Sequence, residues 1–148
     1  HDRGVGLHRT WRLTQKRSTL ANWGDATPRG FVFSAKAPKR ITRALTLANT
    51  GAQVDAFLGD IAALGDKLGP IVWQFERGRR LEREDFAAFL ALLPGEVEGS
   101  TMRHVLDVRD PEFVDAHYLA LARAHVMATV FTDSAEPPSF ADITAGIV

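Results

Sequence analysis

Lys36, Gln74, Asp107, Arg109 and Asp133 are the side chains best suited to chemistry in this sequence. Each stands at or near the end of a short apolar run: Phe31 to Lys36, Ile71 to Phe75, Arg103 to Arg109 and Val126 to Asp133. Two cations, two carboxylates and an amide at the exits of neighbouring strands would converge on one ligand. Arg109 offers a bidentate fork and Lys36 a point charge, which suits phosphate or carboxylate. The same groups can instead neutralise one another, Lys36 with Asp107 or Arg109 with Asp133, since buried charges need partners.

Two basic clusters flank these positions. Lys39, Arg40 and Arg43 follow Lys36 closely, and read either as a solvated helix start or as a phosphate-contacting rim. Arg77, Arg79, Arg80 and Arg83 are offset by Glu76, Glu82, Glu84 and Asp85, and read as a solvated face. The histidines carry less. His104 alternates toward the helix layer and is expected to be a satisfied core histidine. His117 and His125 flank a helix and read as boundary residues, and His8 precedes every strand identified. No histidine spacing matches a metal centre, so no metal ligands are assigned. No glycine-rich phosphate loop and no nucleophile elbow is present, and the sequence leaves the cofactor unknown.

Parity decides which side chains a strand presents to which face. Val32, Ser34 and Lys36 share one face, with Phe31 and Phe33 packing opposite. Val72 and Gln74 point the same way, while Ile71, Trp73 and Phe75 pack against helices. Val105, Asp107 and Arg109 oppose His104, Leu106 and Val108. Thr129, Phe131 and Asp133 are expected on the face opposite Val130 and Thr132.

Helical spacing lies between the strands. Val54, Phe57, Leu58 and Ile61 recur at i, i+3, i+4, i+7 behind a cap at Thr50. Phe86, Phe89, Leu90 and Leu93 repeat the spacing, and Pro94-Gly95 ends it. Val114, Tyr118, Leu121 and Ala122 mark a third helix, with Pro111 near its first turn. Ser18 to Ala26 reads as a short helix, and Ile147-Val148 as the opening of a further strand. Alternating strands and helices with apolar strands predict a parallel α/β sheet.

The chain of 148 residues is read as a single domain, 1–148, long enough for one core. Net charge is zero, which argues against a general nucleic-acid or membrane-surface binder but leaves room for a local basic patch. Cysteine is absent, so disulfide and thiolate chemistry are excluded. No apolar run approaches the roughly 20 residues of a membrane span. His1-Asp2-Arg3-Gly4 is unlike a signal peptide. The expectation is a cytoplasmic protein, and the start without methionine reads as the interior of a longer one.

Several motifs occur in a familiar order. Leu13-Thr14-Gln15-Lys16-Arg17-Ser18 with Trp23 comes first, then Lys36-Ala37-Pro38-Lys39-Arg40-Ile41-Thr42. Leu64-Gly65-Asp66-Lys67-Leu68-Gly69-Pro70 runs into Trp73-Gln74-Phe75, and Phe86 to Pro94 follows. Arg103-His104 through Arg109 and Thr132-Asp133-Ser134 complete the series. Together they resemble the YecE-like family, a barrel family classed as a domain of unknown function. The resemblance implies a fold of (β/α)8 TIM-barrel type, of which about four or five βα units are present. Three positions depart from the family pattern. Glu76-Arg77 stands where the family usually has Pro-Pro, Asp107 stands for Glu, and Asp110 stands for His.

An open half-barrel would expose parallel edges, which implies a fragment, an incompletely ordered chain, or a half completed by a partner such as a second copy. The expected function is a pocket for an anionic small molecule at the C-terminal mouth of the strands, built from Lys36, Gln74, Asp107, Arg109 and Asp133, with Lys39, Arg40 and Arg43 as a basic rim. Two other readings stand beside it. One is a metal-dependent enzyme on nucleic acid or sugar substrates, by fold analogy alone. The other is a non-catalytic binding module.

Overall fold

A computed structural model describes residues 32–131. Ser18 to Ala26, His8, Asp133, Thr132-Asp133-Ser134 and Ile147-Val148 lie outside the described residues. Strand β1, Phe33–Lys36, is apolar on alternate positions and ends before Pro38, which lacks a donor to continue the ladder. The last ladder bond runs from Ala37 N–H to the Val72 carbonyl at 2.9 Å. A one-turn helix, α1, follows over Lys39–Thr42.

Helix α2, Gly51–Ile61, buries Val54, Phe57, Leu58 and Ile61, as the spacing predicts. Thr50 stands at its N-cap, but its hydroxyl does not cap. It donates back to the Leu47 carbonyl at 2.7 Å, closing the 3₁₀ turn Leu47–Asn49. That turn is capped from a distance: the Leu47 and Ala48 amides donate to the Asp85 carboxylate at 2.8 and 2.9 Å. Gly65, at φ 57°, then swings the chain into β2, Leu68–Phe75. This strand begins three residues before the expected Ile71, and Pro70 lies inside it near the start, where one missing donor is tolerated.

Helix α3, Arg83–Leu90, buries Phe86, Phe89 and Leu90, and Leu93 is buried in the turn beyond. A small antiparallel hairpin follows, β3 Glu96–Val97 with β4 Ser100–Thr101. Its two loop residues, Glu98 and Gly99, have φ 52° and 84°, the positive pair of a type I′ turn. Strand β5 is Arg103–Val108. Helix α4, Ala116–Ala124, starts later than expected. Asp115, not Pro111, begins it, its carboxylate accepting from the Tyr118 amide at 3.0 Å. Strand β6 covers only Ala128–Thr129 of the expected run.

The main sheet has the order β1-β2-β5-β6, and all three pairings are parallel. The α/β reading with four parallel strands therefore holds. One face packs on the helices: Ile71, Trp73, Phe75, Leu106 and Val108 join Val54, Phe57, Leu58, Phe86 and Phe89. Trp73 meets Phe57 and Phe89 edge-on, at 5.8 and 5.4 Å between ring centres, and Phe75 meets Phe86 likewise at 5.4 Å. Such pairs add about 0.5–1.5 kcal/mol each beyond area burial. The opposite face carries a second cluster, Val105, Ala128 and Val130, with Val72 against it. Apolar residues thus occupy both faces at the middle of the sheet.

Candidate functional site

The described site residues sit at the C-terminal ends of β1, β2 and β5. Lys36 pairs in register with Val72, and Gln74 with Asp107. Register partners point to one side of a sheet, and period-two alternation carries that side along each strand. Val72 and Val105 belong to the second cluster. Lys36, Gln74, Asp107 and Arg109 therefore share the face away from the helices, and the parity expected for these strands holds. Lys36 stands two residues lower in register than Gln74.

Asp107 is wholly buried. Arg109, two residues on, grips it side-on: Nε donates to Oδ1 at 2.9 Å and Nη2 to Oδ2 at 3.0 Å. The Arg109 side chain is only 11% exposed. Its backbone amide donates to the Phe75 carbonyl at 2.8 Å, so the ladder holds the base of the side chain too. Pairing of Lys36 with Asp107 or of Arg109 with Asp133 is one of the two readings the sequence offers, and Asp133 lies outside the described residues. The neighbours on one strand face, i and i+2, form the ion pair described here.

Strand β6 departs from expectation. Thr129 was expected on the site face, and it turns to the helix layer instead. Its hydroxyl lies 2.7 Å from the Tyr118 hydroxyl and also donates to the Leu106 carbonyl at 3.4 Å. Ala128 and Val130 take the site face with Val105. Residues 126–131 are apolar at both parities, so hydrophobicity alone could not assign the faces. The need of the Tyr118 hydroxyl for a buried partner decides them. The parity argument for Asp133 falls with Thr129, and Asp133 itself lies outside the described residues. Burial, with a smaller contribution from the Asp107 charge, pushes the Tyr118 hydroxyl up to about 12.

His104 is the satisfied core histidine expected. Its Nδ1 accepts from the Trp73 indole N–H at 3.0 Å, and its Nε2–H donates to the Pro94 carbonyl at 2.7 Å. Burial holds its pKa below the ordinary value. Among the described residues, no group of three His, Asp or Glu side chains is placed to hold a metal ion.

The rim residues Lys39 and Arg43 meet an acid from the end of β2, Glu76. Arg43 reaches Glu76 at 2.6 Å, and Lys39 lies 3.8 Å from it. The Arg43 hydrogen bond, with Lys39 and Lys36 nearby, holds the Glu76 carboxyl below the usual range. Arg79 donates to the Thr42 carbonyl at 3.2 Å and to the Ala44 carbonyl, tying the loop after β2 to α1. The sequence missed this link, for which only the unusual Glu76 gave a signal. Arg83 is no free surface cation either. It pairs with Asp115 and lies 4.9 Å from the centre of the Phe113 ring.

The model of the family described as "Protein of unknown function DUF72" matches residues 3–148. The chain belongs to this family. No curated protein and no solved structure matches it. The DUF72 match agrees with the resemblance carried by the Lys36–Thr42 and Trp73–Phe75 motifs, both of which end strands of the parallel sheet.

Proposed function

We propose that the chain binds a small anion, a phosphate or a carboxylate, at the C-terminal ends of its parallel strands. The observation that carries this reading is the clamp on Arg109. A wholly buried Asp107, in register with Gln74 of the next strand, holds the guanidinium through two hydrogen bonds. A buried ion pair is a poor route to stability, because apolar residues of the same volume serve as well. Fixing the direction of a guanidinium is useful for receiving a planar or tetrahedral anion. Lys36 supplies a second cation on the same face, with Lys39, Arg40 and Arg43 as the rim. Ligands of open parallel sheets bind outside the carboxyl ends of the strands, which favours the same location.

The sheet is read as part of a (β/α)8 barrel, supported by its all-parallel order and by the valine cluster on its inner face. The outer strands β1 and β6 then pair with further strands of a longer chain or of a second copy.

Calorimetric titration with inorganic phosphate, a sugar phosphate and a dicarboxylate tests the site. Arg109→Lys keeps the charge and loses the fork, and is expected to weaken binding at least about tenfold. Unchanged affinity in a folded Arg109→Lys protein would show Arg109 to be a structural partner only. Turnover of a bound sugar phosphate or oligonucleotide, with and without divalent metal, separates an enzyme from a binding module.

A further inference from the structure

The rim is more than the edge of a pocket. Between residues 36–43 and 76–80 there are seven cations, Lys36, Lys39, Arg40, Arg43, Arg77, Arg79 and Arg80, against the one carboxylate of Glu76. The chain as a whole has no net charge, so this is a local concentration. The two segments lie together because Glu76 bridges to Lys39 and Arg43, and Arg79 bonds the carbonyls of Thr42 and Ala44. Of the acids that follow, Asp85 is turned toward the Leu47 and Ala48 amides. Glu82 and Glu84 are exposed on or beside α3. Arg40, Arg77 and Arg80 are exposed, and no ion pair or side-chain hydrogen bond engages them among the described residues.

We infer that this surface holds the phosphodiester backbone of a nucleic acid strand. The cations are mostly arginines, whose planar forks match phosphate oxygens and stack on bases, as single-strand binders use them. Phosphate contacts position a strand without reading its sequence, so the surface is expected to be indifferent to base identity. A lipid surface fits less well. Its binders present a broad apolar helix face, whereas among the described residues the one large apolar side chain standing out beside these cations is Leu45. The inference goes beyond the anion site, since Arg40, Arg77 and Arg80 reach a strand that extends past any single pocket.

Fluorescence anisotropy of a labelled oligonucleotide of about 20 nucleotides, longer than one domain's footprint, tests it across a salt series. The 148-residue chain is expected to bind single strands with affinity falling linearly in log salt. Replacing Arg40, Arg77 and Arg80 together by Gln should weaken binding at least about tenfold and flatten the slope by roughly 2–3. Glu76→Gln removes the interspersed carboxylate while the Arg79 bonds to the Thr42 and Ala44 carbonyls still hold the two segments together, and should raise affinity severalfold, an effect that mere structural support would not produce. Replacing Arg103 and Arg123, exposed elsewhere, should change nothing. Binding that ignores salt or the triple substitution would overturn the inference. So would equal competition by polyglutamate, or a preference for anionic vesicles over the oligonucleotide. If the triple variant does not fold, Arg77→Gln alone and Glu76→Gln decide by the signs of their effects. Arg109→Lys is expected to spare oligonucleotide binding, so failure here leaves the anion site standing, and the reverse.

Discussion

Tyr118 is the chain's single tyrosine, and its hydroxyl is buried against Thr129. Its ionisation is expected near 12 rather than 10, followed as phenolate absorbance. The neutral form is favoured by folding, so the folded state holds the proton more tightly than the unfolded state. This contribution to stability is complete below pH 10.0 and is lost as pH rises from there toward 12. His104 acts at the other end of the scale. Its pKa is lowered, so the unfolded chain takes up a proton first. Stability should be complete above pH 6.5 and decline as pH falls below it. Chemical denaturation at a series of pH values measures both trends, and His104→Phe should remove the acid-side one. The same substitution leaves the Trp73 N–H without its partner and should cost about 1–3 kcal/mol. His104 was legible in the sequence because strand parity alone turns it toward the helix layer. The Asp107–Arg109 pair was half legible, since the shared face was clear but the choice of partner was not.

Helix α4 ends in a hydrogen-bond pattern that glycine usually serves. Met127 N–H bonds the Ala122 carbonyl at 2.8 Å, and Val126 N–H bonds that of Arg123 at 3.0 Å. Val126 has φ 57°, the left-handed region that a β-branched residue rarely enters, and it is 81% exposed. Val126→Gly relieves about 1–2 kcal/mol of backbone strain. It gives back about 0.4–1 kcal/mol through the looser unfolded chain. A net gain of about 0.5–1 kcal/mol is expected in urea denaturation, and a loss would mean that Val126 makes a contact worth more than its strain. Elements of this kind explain what sequence reading could and could not supply. Helices α2 and α3 announce themselves because their apolar residues recur at helical spacing. The β3–β4 hairpin has only two residues per strand, too few to show alternation, and its turn carries the single cue of Gly99. Thr50 had the right type for a cap, but the carbonyl of Leu47 competes for its hydroxyl. The cap on the neighbouring turn comes from Asp85, far along the chain, which no local pattern announces.

At the scale of the molecule, the second face of the sheet is buried along β5 and β6 and half-buried along β1 and β2. Val105 is wholly buried there although it touches none of the helix-side core. Val105→Ala should therefore cost about 2–3 kcal/mol, as a core truncation does. A change within the roughly 0.5 kcal/mol of a surface substitution, measured by denaturant unfolding, would refute a tightly covered second face. The α/β class and the four parallel strands were legible from the alternation of periods, whereas register and the short extent of β6 depend on contacts between distant segments. The parallel order also governs how the chain reaches its structure. Each pairing in the main sheet joins strands separated by a whole helix-bearing crossover, so none can zip up from a tight turn. The β3–β4 hairpin and the helices can appear within about 1–10 μs. The sheet must wait for long loops to close, which places its assembly late and leaves strands such as Leu68–Phe75 transiently open to pairing with other chains.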